Sequence, residues 1–118
     1  MHFTTTVKLV LAESPNSPLA NVQVALHERD RLTRDDELGS ALTDEKGEAQ
    51  IQYTSEDFTD LDERLGSEAP ELYAIVYDTA QKVVLTTRAD AGENLAHKLM
   101  RIAIPMELAE RHQLISRA

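Results

Sequence analysis

The sequence predicts an all-β fold: a seven-stranded antiparallel β-sandwich of Greek-key topology, with two short helices. Three observations support this prediction. Short segments alternate apolar and polar residues with a period of two, which is typical of strands with one buried face. Turn-forming residues separate these segments, and helical periodicity is confined to two short stretches. Sequential strands with such turns favour two packed sheets.

The first two strands follow from this alternation. The inward side of the first strand is predicted to carry Phe3, Thr5, Val7, Leu9 and Leu11, opposite Thr4, Thr6, Lys8 and Val10. The run 13–18 contains two prolines, Asn and Ser, and is predicted to be a turn. In the second strand Val22, Val24 and Leu26 alternate with Gln23, Ala25 and His27.

A third strand over 38–43 and a fourth over 49–53 flank the turn 44-DEKG-47. Gly47 can adopt the positive φ that a tight turn requires, so this pair is the clearest predicted hairpin. The polar run 29–37 before it is predicted to be a loop.

A short surface helix is predicted over 54–66, since acidic residues fill its first turn and Phe58, Leu61 and Leu65 share one side. The segment 71–78 is apolar on both faces, as expected of a central strand. A turn at 79–82 precedes a strand over 83–88, and 89–97 is predicted to be a loop.

The last strand places Met100, Ile102 and Ile104 on one face. Pro105 can begin a closing helix over 106–116, whose apolar side carries Leu108, Ala109, His112 and Ile115. We therefore divide the chain into a sandwich domain over 1–105 and an amphipathic helical tail over 106–118. The tail can pack on its own sheet or on a second copy.

Composition limits the classes of function. The 118 residues suit one domain, and the chain has no cysteine, which excludes disulfides and thiolate sites. The net charge of −9 argues against nucleic acid and anionic membranes as partners. The first 14 residues lack the basic start and long apolar block of a signal peptide, so we expect a cytoplasmic protein.

Three segments carry a family resemblance: 18-PLANVQVAL-26, 39-GSALTDEKGEAQIQYTSEDF-58 and 71-ELYAIVYDT-79. Together they resemble the transthyretin-like, or prealbumin-like, sandwich, whose superfamily includes carboxypeptidase regulatory-like domains. The resemblance covers roughly residues 5 to 104. It implies the β-sandwich fold, and it leaves the function open because this scaffold hosts many roles.

One branch of the resembled superfamily, the 5-hydroxyisourate hydrolases, uses two histidines and an arginine at a site between subunits. The first-strand histidine of that branch corresponds to Lys8 or Leu9 here, and its arginine corresponds to Glu48. The chain ends in 115-ISRA-118, without the Tyr-Arg-Gly-Ser of that branch. The resemblance therefore does not extend to a hydrolase site.

Other chemistry lacks a complete set of residues. The four histidines have no metal-binding spacing, and no nucleophile elbow surrounds a serine. Asp57, Asp60, Asp62 and Glu63 suggest calcium, but EF-hand spacing is missing and a solvated helix face is the better interpretation. An isopeptide between Lys8 and the last strand, assisted by Asp78, has no Asn or Asp over 99–104. We predict no catalytic residue, metal or cofactor.

The sequence thus predicts a non-enzymatic protein-interaction or accessory module. The middle of the chain is acidic, with thirteen acids and four bases from Glu28 to Glu63, and such a face is either solvated surface or attracts a basic partner. The residues predicted to bind a partner are Asp57, Asp60, Glu63, Leu108, His112 and Ile115. We also expect possible homodimers through an edge strand or the C-terminal helix.

Two alternatives remain open. The first is a small-molecule binder or hydrolase with a site between subunits, which predicts an oligomer with polar groups converging on a channel. The second is a regulatory domain separated from a larger enzyme.

Overall fold

A computed structural model of the protein describes residues 2–29, 36–54, 72–88 and 99–115. These residues form eight strands and one short helix. The strands are β1 (His2–Leu11), β2 (Ser14–Pro18), β3 (Gln23–Glu28), β4 (Asp36–Leu42), β5 (Glu48–Thr54), β6 (Leu72–Tyr77), β7 (Val83–Thr86) and β8 (Leu99–Ile104). The helix is α1 (Met106–Arg111).

The strands form two four-stranded sheets. Strand β1 is the centre of the first sheet, because Val7 pairs with Ala49 of antiparallel β5 and with Met100 of parallel β8. Strand β2 pairs with the end of β1 at Val10 and Leu11. The second sheet has the order β4-β3-β6-β7, with every pair antiparallel.

A single apolar core lies between the sheets, and the predicted all-β sandwich is confirmed. Side chains of the two sheets meet there at alternate positions along each strand, as expected for facing sheets. The most deeply buried large side chains include Val7, Leu9, Val10, Val24, Leu26, Leu72, Val76 and Ile104. The predicted central strand over 71–78 is β6, which lies inside the second sheet between β3 and β7.

Parts of the predicted strand pattern are wrong. The run 14–18, predicted to be a turn, forms β2 at the sheet margin, where prolines are tolerated since no ladder donor is required of them. The resulting strand count is eight, and β8 pairs parallel with β1 in an otherwise antiparallel arrangement. Val10 and Ala25, predicted to face outward, are each only 1% exposed, although neither belongs to the core cluster between the sheets.

The segment predicted to be a hairpin, 38–53, connects the two sheets instead. Its turn has the expected geometry, with Gly47 at a φ of 75°. Strand β4, however, pairs with β3, whereas β5 pairs with β1. The two strands still lie close together, since a Cβ on Gly39 would lie 2.9 Å from Cγ2 of Ile51 and 3.8 Å from the carbonyl oxygen of Gln52.

Helix α1 packs on the sandwich of its own chain. Ala109 is completely buried in the common core, and Met106, Leu108, Leu114 and Ile115 pack against that core. The backbone N–H of Met106 donates to Oε1 of Glu13 at 2.8 Å, which satisfies one free donor of the first helical turn. The helix ends at Arg111, five residues before the predicted end at 116.

The predicted helix over 54–66 and the predicted loop over 89–97 lie outside the described residues, apart from the backbone of Thr54. In the described ranges, no helix has the length and apolarity that crossing a bilayer requires.

Substituting Gly47 tests the sheet-to-sheet turn. A Cβ at this position would lie 2.5 Å from the carbonyl oxygen of Leu9, and φ is in the left-handed region. We expect Gly47→Ala to lower the free energy of unfolding by about 2 kcal/mol or more, measured by urea denaturation. Gly39→Ala is the control, and it should cost less because its φ is outside the left-handed region and its close contact is a side-chain methyl of Ile51, not backbone. Equal losses in the two variants would contradict this explanation.

Candidate binding cleft

A cleft of about 480 Å³ lies at one end of the β4-β3-β6-β7 sheet. This volume is within the range of ligand pockets in proteins. The cleft is formed by the segment before β3, the end of β4, the turn after β6 and the residues that follow α1. Its lining residues are Ala20, Asn21, Val22, Gln23, Leu42, Tyr77, Asp78, Thr79, Gln81, Gln113 and Leu114. We call this site the amide cleft, because four of these residues carry side-chain amides.

Three residues of the amide cleft have unusual backbone geometry. Asn21, Gln81 and Gln113 have φ values of 59°, 64° and 58°, and they are the described non-glycine residues with positive φ. This conformation is uncommon for residues other than glycine, and Asn tolerates it better than Gln does. Such outliers tend to occur at functional sites, so their location in one cleft points to a role for it.

Thr43 holds the backbone at Asn21. The N–H of Asn21 donates to the carbonyl oxygen of Thr43 at 2.9 Å. The buried hydroxyl of Thr43 accepts from the N–H of Val22 and donates to the carbonyl oxygen of Leu19. These bonds satisfy polar groups that would otherwise be costly to bury.

Gln81 occupies the turn between β6 and β7, which the side chain of Asp78 organises. Oδ1 of Asp78 accepts from the N–H groups of Ala80 and Lys82, each at 2.9 Å. The N–H of Gln81 donates to the carbonyl oxygen of Asp78, and the Gln81 side chain donates through Nε2 to Oε1 of Gln23 at 2.8 Å. Gln81 therefore connects the turn with strand β3.

Gln113 follows the end of α1 and explains why the helix stops early. The N–H of Gln113 donates to the carbonyl oxygen of Glu110, and that of Leu114 donates to the carbonyl oxygen of Ala109. This pair of bonds is the Schellman arrangement, whose left-handed position is usually a glycine. The turn directs Leu114 into the cleft lining.

A side-chain hydrogen bond joins the C-terminal segment to the sheet. Nδ1 of His112 lies 2.8 Å from Oδ2 of Asp78, and the two side chains are 17% and 9% exposed. Since an ionised carboxylate only accepts hydrogen bonds, the imidazole N–H is the donor. The hydrogen bond from His112, together with that from the N–H of Lys82, holds the pKa of Asp78 below its ordinary value.

A row of side chains extends from the amide cleft across the outer face of the sheet. Leu42 pairs with Gln23, Gln23 with Tyr77, and Tyr77 with Val83, so the row includes one residue from each strand. Leu42 is 63% exposed and Val83 is 52% exposed. Two of the three exposed large apolar residues in the described ranges therefore belong to this row.

The structure distributes the six predicted partner-binding residues unevenly. Asp57, Asp60 and Glu63 lie outside the described residues. Leu108 and Ile115 pack against the core of their own chain, and His112 contacts Asp78 beside the cleft. Sequence reasoning missed Asn21, Gln23, Gln81 and Gln113 as site residues.

Lys8, one of the two positions that the resemblance aligns with the first-strand histidine of the hydrolases, forms an ion pair with Glu48, which it aligns with their arginine. Lys8 and Glu48 pair across β1 and β5, with Nζ of Lys8 at 3.9 Å from Oε2 of Glu48. Within the described ranges, no group of three His, Asp or Glu side chains is arranged to hold a metal ion.

These features define a two-sheet β-sandwich domain with a polar cleft at one end. The chain belongs to the transthyretin-like family, since the family model "TTR-52: Transthyretin-like family" matches residues 15–105. No curated protein matches the chain.

A solved structure, a 9R-lipoxygenase from Cyanothece PCC8801, is similar to the chain with a TM-score of 0.57 and 20% sequence identity. The similarity covers 87% of this chain and 17% of the lipoxygenase chain, so the present chain matches a small part of that protein. At this identity the similarity indicates the fold alone.

The pH dependence of stability tests the contact between Asp78 and His112. A carboxyl whose pKa is lower in the folded chain adds stability above its unfolded pKa, and this stability is lost as the pH falls through the folded pKa. For Asp78 the loss is therefore expected below the ordinary value of 3.8. We expect Asp78→Asn to destabilise the protein near neutral pH, with a difference from the unmodified protein that shrinks below that value.

Asp44→Asn is the matched control. Oδ1 of Asp44 accepts hydrogen bonds from the N–H groups of Glu48 and Lys46, in a turn of the same form as that at Asp78. The bond from Glu48, together with that from Lys46, lowers the pKa of Asp44. Because Asp78 also binds His112, Asp78→Asn should lower the urea midpoint at neutral pH more than Asp44→Asn does. An equal effect would show that the histidine contact adds no stability.

Proposed function

We propose that this transthyretin-like domain is a non-enzymatic protein-interaction module that binds its partner at the amide cleft and the adjoining exposed row. The observation that carries the proposal is the concentration of left-handed Asn21, Gln81 and Gln113 around one cleft. Each of the two glutamines costs roughly 1 to 2 kcal/mol relative to a relaxed backbone, and Asn21 costs less. Glycine would avoid this cost at each position, so the presence of amide side chains there supports a role for them in binding.

The lining also supports binding over catalysis. Amides and aliphatic groups orient a ligand, but they neither take up protons nor attack a substrate near neutral pH. Asp78, the carboxylate of the lining, is engaged by His112 and by two backbone N–H groups. The ion pair between Lys8 and Glu48 supports the same conclusion for the surface where the resemblance would place a hydrolase site.

Pairing of two copies along β8 is a second mode that we propose. Strand β8 pairs with β1 in the described sheet, and Leu99 at its start is 57% exposed. An edge strand with an exposed apolar residue favours strand addition.

Site-specific photo-crosslinking tests where the partner binds. A photoreactive amino acid placed at Thr79, an exposed cleft residue, should attach covalently to a defined protein in a native lysate. The control is Gln52, which is exposed on β5 of the other sheet. Labelling of the same protein at equal yield from both positions, or no labelling from Thr79, would contradict the proposal.

Replacing Gln81 separates stability from binding. We expect Gln81→Gly to raise the free energy of unfolding by about 1 kcal/mol, since glycine adopts a positive φ without strain. The same variant should bind the crosslinked partner more weakly, because the amide that contacts Gln23 is lost. Gln81→Asn is the control that keeps an amide and tolerates the conformation, and it should retain more of the affinity. If calorimetry shows that Gln81→Gly binds the partner as well as the unmodified protein does, the Gln81 side chain is not part of the binding site.

A further inference from the structure

We infer that the amide cleft accepts an extended, uncharged polypeptide segment with an aliphatic side chain, and that this binding is insensitive to salt. The inference rests on the proposed protein-interaction function and specifies the chemistry of the partner. It follows from three properties of the lining: its charge, its hydrogen-bonding groups and its apolar surface.

The charge of the cleft differs from that of the chain. The chain has 28% charged residues and a net charge of −9, whereas the charged residue among the eleven that line the cleft is Asp78. Its carboxylate already accepts hydrogen bonds from His112, Ala80 and Lys82. A charged ligand would lose hydration on entering without meeting an available counter-charge, so the lining disfavours it.

The hydrogen-bonding groups match a peptide backbone. Each side-chain amide carries both a donor and an acceptor, as each peptide group does. Asn21, Gln81 and Gln113 are exposed around the cleft, and the bond from Gln81 to Gln23 leaves the carbonyl oxygen of Gln81 and the amide nitrogen of Gln23 for a ligand. An extended segment presents N–H and C=O groups that can pair with these amides.

The apolar surface distinguishes a polypeptide from a neutral sugar. Aromatic faces are typical of sugar sites, and the lining has one aromatic side chain, Tyr77, which is partly buried. The exposed apolar contacts are instead aliphatic, with Leu42 in the lining and Val83 at the other end of the same row. Leucine and valine suit an aliphatic side chain of a bound segment.

The walls of the cleft are held before a ligand arrives. Thr43 fixes the segment at Asn21, Asp78 fixes the turn at Gln81, and the Schellman bonds fix Gln113. A site with its backbone already ordered costs less entropy to occupy, so a short segment can bind with useful affinity.

Selection from a randomised peptide display library tests the inference. The full chain is the target, with parallel selections at about 50 mM and about 500 mM NaCl, over which the Debye length shortens roughly threefold. We expect the same enriched motif in both arms, with uncharged residues around a Leu, Ile or Val. A basic or acidic motif confined to the low-salt arm, or no enriched motif in either arm, would overturn the inference.

Two substitutions to aspartate test whether the selected peptides bind at the amide cleft. Leu42→Asp should weaken their binding by about tenfold or more, because it places a charge in an apolar contact. Gln52→Asp, which places the same charge on an exposed position of β5 in the other sheet, should leave binding unchanged. Equal weakening by both substitutions would contradict the assignment to the cleft, as would stronger perturbation of the cleft residues by maltotriose than by the peptides in NMR spectra.

The two experiments fail in distinguishable ways. Specific crosslinking from Thr79 combined with a charged, salt-dependent motif would refute the uncharged segment and keep the proposed function. Absence of crosslinking from Thr79 would refute the proposed function itself.

Discussion

Two turns of the same form, each closed by an aspartate side chain, organise this sandwich. In each of two places an Asp Oδ1 accepts two backbone N–H groups, and the fourth residue of the turn has a left-handed backbone. In the turn that begins at Asp44 that residue is Gly47, and in the turn that begins at Asp78 it is Gln81. The two turns have corresponding backbone bonds, so the difference lies in the side chains that they carry.

Because of this difference, the turn at Asp44 serves the fold, and the turn at Asp78 forms part of the cleft. Gly47 lies against the backbone of Leu9 and beside Pro18, where no side chain fits, and its turn passes the chain from one sheet to the other. Gln81 faces the amide cleft, and the second oxygen of Asp78 binds His112 of the C-terminal segment. The same turn geometry therefore joins the two sheets at Asp44 and brings three chain segments to a common cleft at Asp78.

The local pattern of the sequence predicted much of the fold. Alternation located the strands, and Gly47 marked its turn, because both are encoded by neighbouring residues. The pairing of the strands was not predicted correctly. The parallel pairing of β8 and the separation of β4 from β5 depend on contacts between residues that are distant in the sequence. The amide cleft escaped prediction because glutamine carries no preference for a positive φ, and the segments 78–82 and 44–48 share only their first residue, aspartate.

Hydrogen–deuterium exchange of the chain with and without its crosslink-identified partner is the most direct test of recognition at the cleft. Amides of ordered loops become protected where a partner covers them. We predict new protection at 20–23, 78–82 and 112–114, with little change over 48–52. Protection confined to 48–52 or to 99–104 would contradict it, since those residues belong to the other sheet.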